Sequence, residues 1–292
     1  MTSTQFFFNL VLNGLVEGLV ISMCALSLTL VYAVLRFPNA ATGDYMTLGA
    51  YAAKGVQHFT GAPMLISGAA GILATIAVAV FFHLWVFRKL AGRTLAAPLV
   101  ASIGVAYFVR SVLTFFVGHE HLVYDIPLVR AMNWHGLRVQ ATDLWVAAAA
   151  LLSLAACFGI LYLTRIGRQM RAVADNPDLA RASGIRSGRV TLVMWVLAGA
   201  VAALGGILLG VKSILHAELG WDFMVAGFTA MILGGVGNPV GAVVGGIAIG
   251  LVQELSAPIV GYSYKIAVAF TIMVLMLLWR PHGLFGYREG TR

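Results

Sequence analysis

Charge is what this sequence has least of. Asp, Glu, Lys and Arg make up 10% of its 292 residues, where a soluble domain carries roughly 25%. It has two cysteines, Cys24 and Cys157, both inside apolar stretches and with no CxxC spacing. That excludes a disulfide-stapled module, a zinc ribbon and a dithiol redox centre, and leaves two small buried hydrophobes. There is no GxxxxGK[ST] phosphate loop, no HExxH and no GxSxG elbow, so no catalytic residue and no cofactor is assigned and the chain is read as not an enzyme. Seven histidines show no metal-ligand spacing; His119, Glu120, His121 and His135 read as a solvated loop, not a metal site. No basic stripe with interleaved aromatics is present, so no nucleic-acid partner is expected. The first 35 residues contain no Lys or Arg, whereas a cleavable signal peptide starts with a basic region. Phe6–Leu35 therefore reads as a retained, over-long and tilted first span.

What is present is apolar. Hydrophobic residues reach 60% and the mean hydropathy is +0.92. The expected fold class is an all-α integral membrane protein of about eight to nine segments, forming one domain over residues 1–292. The apolar runs are Phe6–Leu35, a short Tyr45–Val56, Met64–Phe87, Pro98–Val117, Leu144–Leu163, Thr191–Val211, the shorter Phe223–Leu233 and Ala242–Leu255, and Ile266–Trp279. Polar breaks separate them, the largest being His119–Thr142 and the arginine-rich Thr164–Arg189.

The basic residues sort onto two sides. One side collects Arg36, Arg88, Lys89, Arg93, the arginines between Arg165 and Arg189, and Arg280, Arg288 and Arg292; the other has Lys54, Arg130, Arg138, Lys212 and Lys265. Basic residues accumulate in cytoplasmic loops, so the first side is read as cytoplasmic, with the amino terminus outside and the carboxyl terminus inside. Arg110 falls inside a span, as do Glu17 and Glu254. An ionisable group at membrane depth is a functional candidate, but the sequence assigns these three no role. Small-xxx-small pairs, Gly14/Gly18, Gly206/Gly210, Gly241/Gly245 and Gly246/Gly250, predict close helix contacts.

Two segments are the most informative. In the arginine-rich loop, Asp175-Asn176-Pro177-Asp178 offers a capping side chain, a proline for the first helical turn and an acid suited to the helix dipole. Gly184 supplies a left-handed stop. A short helix is predicted over Pro177–Ser183, built to dock onto another chain; the alternative is a linker helix whose arginines meet anionic membrane lipid. The second feature is a pair of interruptions, Asn39–Asp44 and Gly234–Pro239, each followed by a short apolar stretch. Non-helical backbone at membrane depth survives only when buried in protein or lining a cavity, and transporters put binding sites at such breaks. Asn39, Thr42, Gly43 and Asn238 are the candidate substrate-path residues. The alternative is ordinary tight turns at the membrane surface.

These residues resemble a known family. Gly167-Arg168-Gln169-Met170-Arg171-Ala172-Val173-Ala174-Asp175-Asn176-Pro177, with Ala180 and Gly184-Ile185, is similar to the coupling-loop signature of branched-chain amino acid ABC transporter permeases. Asn39, Ala41, Gly43, Met46, Leu48-Gly49-Ala50 and Tyr51 resemble the pattern of the LivH-type half of the permease pair, although Ala40 and Thr42 stand where Phe and His are usual. Leu233–Ala242 and Arg280–Gly286 are similar to the family's glycine-rich break and its ending. The resemblance implies an ABC importer permease fold in a bacterial inner (plasma) membrane. It implies that Ala174, Asp175, Asn176, Pro177, Asp178, Leu179, Ala180, Arg181 and Gly184 contact a separate ATPase. It further implies two cytosolic ATP-binding subunits, a second related permease subunit and a periplasmic or surface solute-binding protein as partners. Uptake of branched-chain or hydrophobic amino acids, or of related small solutes such as urea and amides, is the expected function. The alternative, a stand-alone ion-coupled secondary transporter, would need acids in the transport path, and only Glu17 and Glu254 are available for it.

Overall fold

The structure is a computed structural model that describes residues 3–90, 92, 94, 96–118, 120–126, 132–134, 137–280 and 282–286. Arg93, His119, Arg130, His135, Pro281, Arg288 and Arg292, used in the sequence reading, lie outside the described residues.

Among the described residues the architecture is helical with one small hairpin. Helix α1 (Ser3–Leu35) is followed by a non-helical segment and α2 (Thr42–Thr60). Next comes α3 (Met64–Phe82), which runs through a π-turn (His83–Phe87) into Arg88–Leu90. Helix α4 (Ala96–Val117) leads to strands β1 (Met132–Trp134) and β2 (Leu137–Val139), paired antiparallel with Asn133 opposite Arg138. Helix α5 (Ala141–Leu163) leads into α6 (Arg165–Asp175) and α7 (Pro177–Ala182). Helices α8 (Ser187–Lys212), α9 (Leu219–Gly234), α10 (Pro239–Val260) and α11 (Lys265–Trp279) complete the chain. Among the described residues, seven helices are long and apolar enough to cross a membrane; with α2 and the short apolar α9 they make nine segments, within the eight to nine expected.

Helix α1 is the hub. Ile21, Met23, Cys24, Ala25, Leu26 and Leu28 are fully buried, between α8 on one side and α9 and α10 on the other. Lipid supplies no hydrophobic drive between helices, so close contact and interhelical hydrogen bonds hold them. A Cβ on Gly18 would stand 2.8 Å from Ile247 Cα, and one on Gly14 would stand 3.0 Å from Leu251 Cα. The Gly246/Gly250 pair faces the same seam, as the spacing predicted. Ser22 Oγ donates to Val243 O at 2.9 Å and Ser27 Oγ donates to Ala198 O at 2.8 Å. Both hydroxyls thereby satisfy themselves in lipid-depth surroundings and tie α1 to α10 and α8.

The molecule has two chemically distinct ends. The arginine-rich end carries Arg36, Arg88, Lys89, α6, α7 and the connection between α9 and α10. The opposite end carries the segment 120–126, which clamps the second half of α2. Tyr124 donates its hydroxyl to Ala50 O at 2.8 Å, Lys54 pairs with Asp125 at 2.7 Å, and Gln57 exchanges two hydrogen bonds with the Asp125 backbone. Leu122 also pairs with Leu215 in an isolated antiparallel bridge. Burial raises the Tyr124 phenol well above its ordinary range, which keeps it a hydrogen-bond donor.

Candidate functional site

The chain leaves α1 at Arg36, which has φ +59° and is the one non-glycine residue among those described with a positive φ. Such a backbone is strained for a side chain with a Cβ and needs outside support. Two supports are visible. The Arg36 guanidinium donates to the carbonyl of Ala174 at the end of α6, at 2.6 Å. The next residue, Phe37, is buried and stacks on Phe87 with ring centroids 5.6 Å apart; Phe87 in turn stacks on Trp195 at 4.8 Å.

From there the backbone turns back into the protein without forming helix. Asn39 is buried, and its side-chain oxygen accepts from Ala41 N at 3.2 Å, a local Asx turn that starts α2. Ala40 N donates to Ser102 Oγ at 3.0 Å. Four residues on, Asp44 receives two hydrogen bonds from Arg110, at 3.0 and 3.2 Å. Ser102 and Arg110 both lie in the interior of α4, about 12 Å apart along its axis. The start of α2 therefore lies within the span, not at a surface turn. Its first turn is buried throughout: Thr42, Gly43, Asp44 and Tyr45. The Thr42 and Tyr45 hydroxyls are buried and have no hydrogen-bond partner, whereas buried polar groups are normally paired.

Gly43 lets this half-helix meet another. A Cβ there would stand 2.6 Å from Gly220 O, at the beginning of α9. The contact is locked by Thr47, whose hydroxyl accepts from Gly220 N at 3.0 Å. Helices α2 and α9 thus touch at their N-terminal ends. Beside them sits Arg110, bidentate on buried Asp44, 3.8 Å from Glu218, and over the rings of both Tyr107 and Trp221. An arginine at membrane depth is costly alone; here a carboxylate and two aromatic rings compensate it. Sequence reasoning found Arg110 within a span but not its partner, because residues 44 and 110 are joined only by tertiary structure.

Asn238 is placed differently. Its side-chain oxygen caps α10, accepting from Val240 N and Gly241 N at 3.0 and 3.1 Å, and its amide donates to Phe285 O at 3.1 Å. Leu284 N and Phe285 N bond to the carbonyls of Leu233 and Gly234. The 234–239 break is a tight turn at the arginine-rich end, held by the C-terminal segment, so the structure brings Asn39, Thr42 and Gly43 together and leaves Asn238 apart.

The arginine-rich loop is more ordered than expected. The short helix α7 covers Pro177–Ala182, with Asn176 as its cap: Asn176 Oδ1 accepts from Asp178 N and Leu179 N at 3.1 and 3.0 Å. Ser183 ends it and Gly184, at φ +82°, turns the chain. Asp178 pairs with Arg181 on its outer face. Ala180 is buried, while Asp175 through Leu179, Arg181 and Gly184 are exposed, and Leu179 is 65% exposed. Before it, α6 is amphipathic. It is capped by Thr164, whose hydroxyl accepts from Gly167 N at 3.1 Å, and it buries Gly167, Met170 and Val173. Arg171 donates to Leu161 O at 2.5 Å and lies over the Tyr162 ring. Sequence reasoning missed α6, although its apolar positions recur every three residues.

These features define a class: a multi-span helical membrane protein with a broken helix buried at its centre and a capped helix presented at one end. The chain belongs to the family described as branched-chain amino acid transport system / permease component, whose pattern matches residues 10–277. It is 27% identical over 293 residues to the high-affinity branched-chain amino acid transport system permease protein BraD of Pseudomonas aeruginosa, covering 95% of each chain. It is also 27% identical over 309 residues to LivH of Escherichia coli K12, covering 97% of each. Its fold is similar to that of an inward-facing putative metal-chelate type ABC transporter, with a TM-score of 0.54 at 14% identity, covering 91% of this chain and 86% of that one. The family is one of transport permeases, which favours the ABC-importer reading over a stand-alone ion-coupled carrier.

Proposed function

We propose that this chain is the membrane subunit of an ABC importer for branched-chain or other hydrophobic amino acids, or related small solutes such as urea and amides. It sits in a bacterial inner membrane with its amino terminus outside and its arginine-rich end in the cytoplasm, where basic loops are retained. It pairs with a second, related permease subunit, receives solute from a periplasmic or surface binding protein, and is driven by two cytosolic ATP-binding subunits. Residues Ala174–Gly184 are the docking element for those ATPases. The buried start of α2, with Asn39, Thr42 and Gly43, lies along the solute path, where the unpartnered Thr42 and Tyr45 hydroxyls can bond a passing polar solute. Asn238 serves as a helix cap at the base of the path.

One observation carries this reading: a capped, exposed helix whose preceding helix is hydrogen-bonded, through Ala174 and Arg36, to the chain that enters the broken segment. A solvent-facing linker has no need of that bond. The test combines Pro177→Arg with Gly184→Pro. Proline cannot adopt the positive φ of residue 184, and arginine replaces the residue that starts α7. Loss of co-purification with the ATPase subunits and loss of ATP-dependent uptake in proteoliposomes are expected. Unchanged association and uptake would overturn the docking assignment.

A further inference from the structure

A second charged region lies at the end opposite the arginine-rich loop, away from the start of α2. A cavity of about 350 Å³ opens there between α1, the start of α5, the end of α8, α9 and α10, and its charged lining is Glu17, Asp143, Lys212 and Glu254. Lys212 pairs with Asp143 at 3.2 Å. Lys265, the first residue of α11, stands 3.2 Å from Glu17 of α1 and also pairs with Glu254 of α10. Three carboxylates thus share two ammonium groups. The weaker hold is on Glu17, whose side chain is 24% exposed against 8% for Glu254.

Lys265 is placed for this pairing. An ammonium in the first turn opposes the helix dipole, which favours anions there, so its carboxylate partners are what hold it at the start of α11. The Gln253 side-chain amide donates to Lys265 O at 3.2 Å and fixes the residue against α10. Helix α11 is the least buried of the seven apolar spans and packs on α9 and α10. The Lys265–Glu17 pair reaches past that packing and ties α11 to α1. The other charges at this end, on or beside elements packed against α1, are Asp222 and Glu218 at the start of α9, engaged by His216 and Arg110, and Arg138 of β2.

We infer that Glu17, Glu254 and Lys265 form a proton-operated latch. In the alkaline state Lys265 bridges both carboxylates, and α11 is tied to α1 as well as to α10. When the pH falls, one proton from solvent passes to a Glu17 carboxylate oxygen. Lys265 keeps its own charge and pairs with Glu254 alone, and the tie between α11 and α1 opens. The charge balance drives the step: an excess negative charge inside a span is expensive, and the proton removes it. Asn13, Gln140 and Ser213 give the cavity a polar wall along which solvent reaches Glu17. The latch reads the pH at the end opposite the arginine-rich loop. It goes beyond the proposed transport function and depends neither on the solute nor on the ATPase partners.

The test uses the full-length chain in nanodiscs, without partner subunits, and compares wild type with Glu17→Gln. The variant is permanently neutral at residue 17 and keeps the Lys265–Glu254 pair. Amide hydrogen exchange is read in the second and third turns of α11. At about pH 8 the variant should exchange about tenfold faster than wild type, the scale of one hydrogen bond from a charged donor. At about pH 4.5, near the ordinary glutamate value, the two should exchange alike. Helix α3, remote from the cluster, should not differ at either pH. Acidification should also raise a protonated-carboxyl band in infrared difference spectra of wild type, and that band should be missing from Glu17→Gln. Glu17→Asp keeps a carboxylate on a shorter side chain; it should keep the band and exchange fast at both pH values, a check that stands even where Glu17→Gln does not fold. Arg138→Gln should respond to pH as wild type does. The same variant-to-wild-type ratio at both pH values would make the pair a static tie, and a ratio of one at both would remove the tie. A band that persists in Glu17→Gln would put the proton on another group, and a response lost in Arg138→Gln would put the control in β2. Each of these outcomes overturns the latch.

Discussion

The Arg36 guanidinium holds the carbonyl of Ala174 at 2.6 Å. This single bond joins the last turn of α6 to the residue at which α1 gives way to the buried segment. Hydrogen bonds from charged donors contribute about 1.5–3 kcal/mol. Arg36→Ala and Arg36→Gly should therefore both uncouple the machine: ATP hydrolysis continues while solute uptake per ATP falls about tenfold. Glycine relieves the positive φ and alanine does not, so alanine should also lower the melting temperature. Wild-type uptake per ATP in the glycine variant would show that only the backbone conformation matters.

Arg110 and Asp44 form a buried pair whose two halves are not equivalent. Removing Arg110 strands a fully buried carboxylate, a loss on the order of 3–5 kcal/mol. Removing the Asp44 charge leaves Arg110 with Glu218 and two aromatic faces. Arg110→Ala should thus melt several degrees lower than Asp44→Asn, and the double variant should lose less than the sum of the two. Equal melting temperatures for Arg110→Ala and wild type would refute the pairing.

Gly43 and Gly55 lie on the same helix and should respond oppositely to alanine. At Gly43 the new methyl meets Gly220 O at 2.6 Å, and at Gly55 it meets open space. Gly43→Ala is expected to lower stability and uptake together. Gly55→Ala should be neutral or stabilising by up to about 1 kcal/mol, the helix-interior gain for alanine. Thermal melting in detergent and uptake by the reconstituted transporter check both.

Leu179 exposes an apolar side chain on the outer face of α7. If that face docks an ATPase, Leu179→Asp should reduce ATPase co-purification at least tenfold without moving the melting temperature of the isolated chain. Asn176→Ala removes the cap instead, at a cost of about 1 kcal/mol, and should weaken docking less. Pull-down from a co-expression strain reads both.

Much of this arrangement is legible along the chain because membrane depth leaves few options. Most of the full spans follow from apolar length, but α10 does not: the run Ala242–Leu255 reads as a short piece, while the helix, capped by Asn238, extends over Pro239–Val260. Helix α7 follows from Asn176, Pro177 and Gly184, whose local roles do not depend on distant residues. Asn39, Thr42 and Gly43 were found as a break for the same reason. The Gly234–Pro239 break looked equivalent because Gly and Pro mark turns at any depth; only its bonds to Phe285 and Leu284 place it at the arginine-rich end. The ion pairs Asp44–Arg110 and Glu17–Lys265 were not readable, since each joins residues far apart in the chain and no local pattern couples them. Helix α6 was missed because its polar face dominates its composition.

The seam between α1 and α10 has a mechanical consequence. With Gly14 and Gly18 against Leu251 and Ile247, nothing compressible separates the two backbones, so they behave as one post that neither slides nor rolls. The segment from Arg36 to Ala41 lacks any such seam and lies outside helical geometry. Any pull exerted at Ala174 is therefore taken up in that segment, between the post and the packed start of α2.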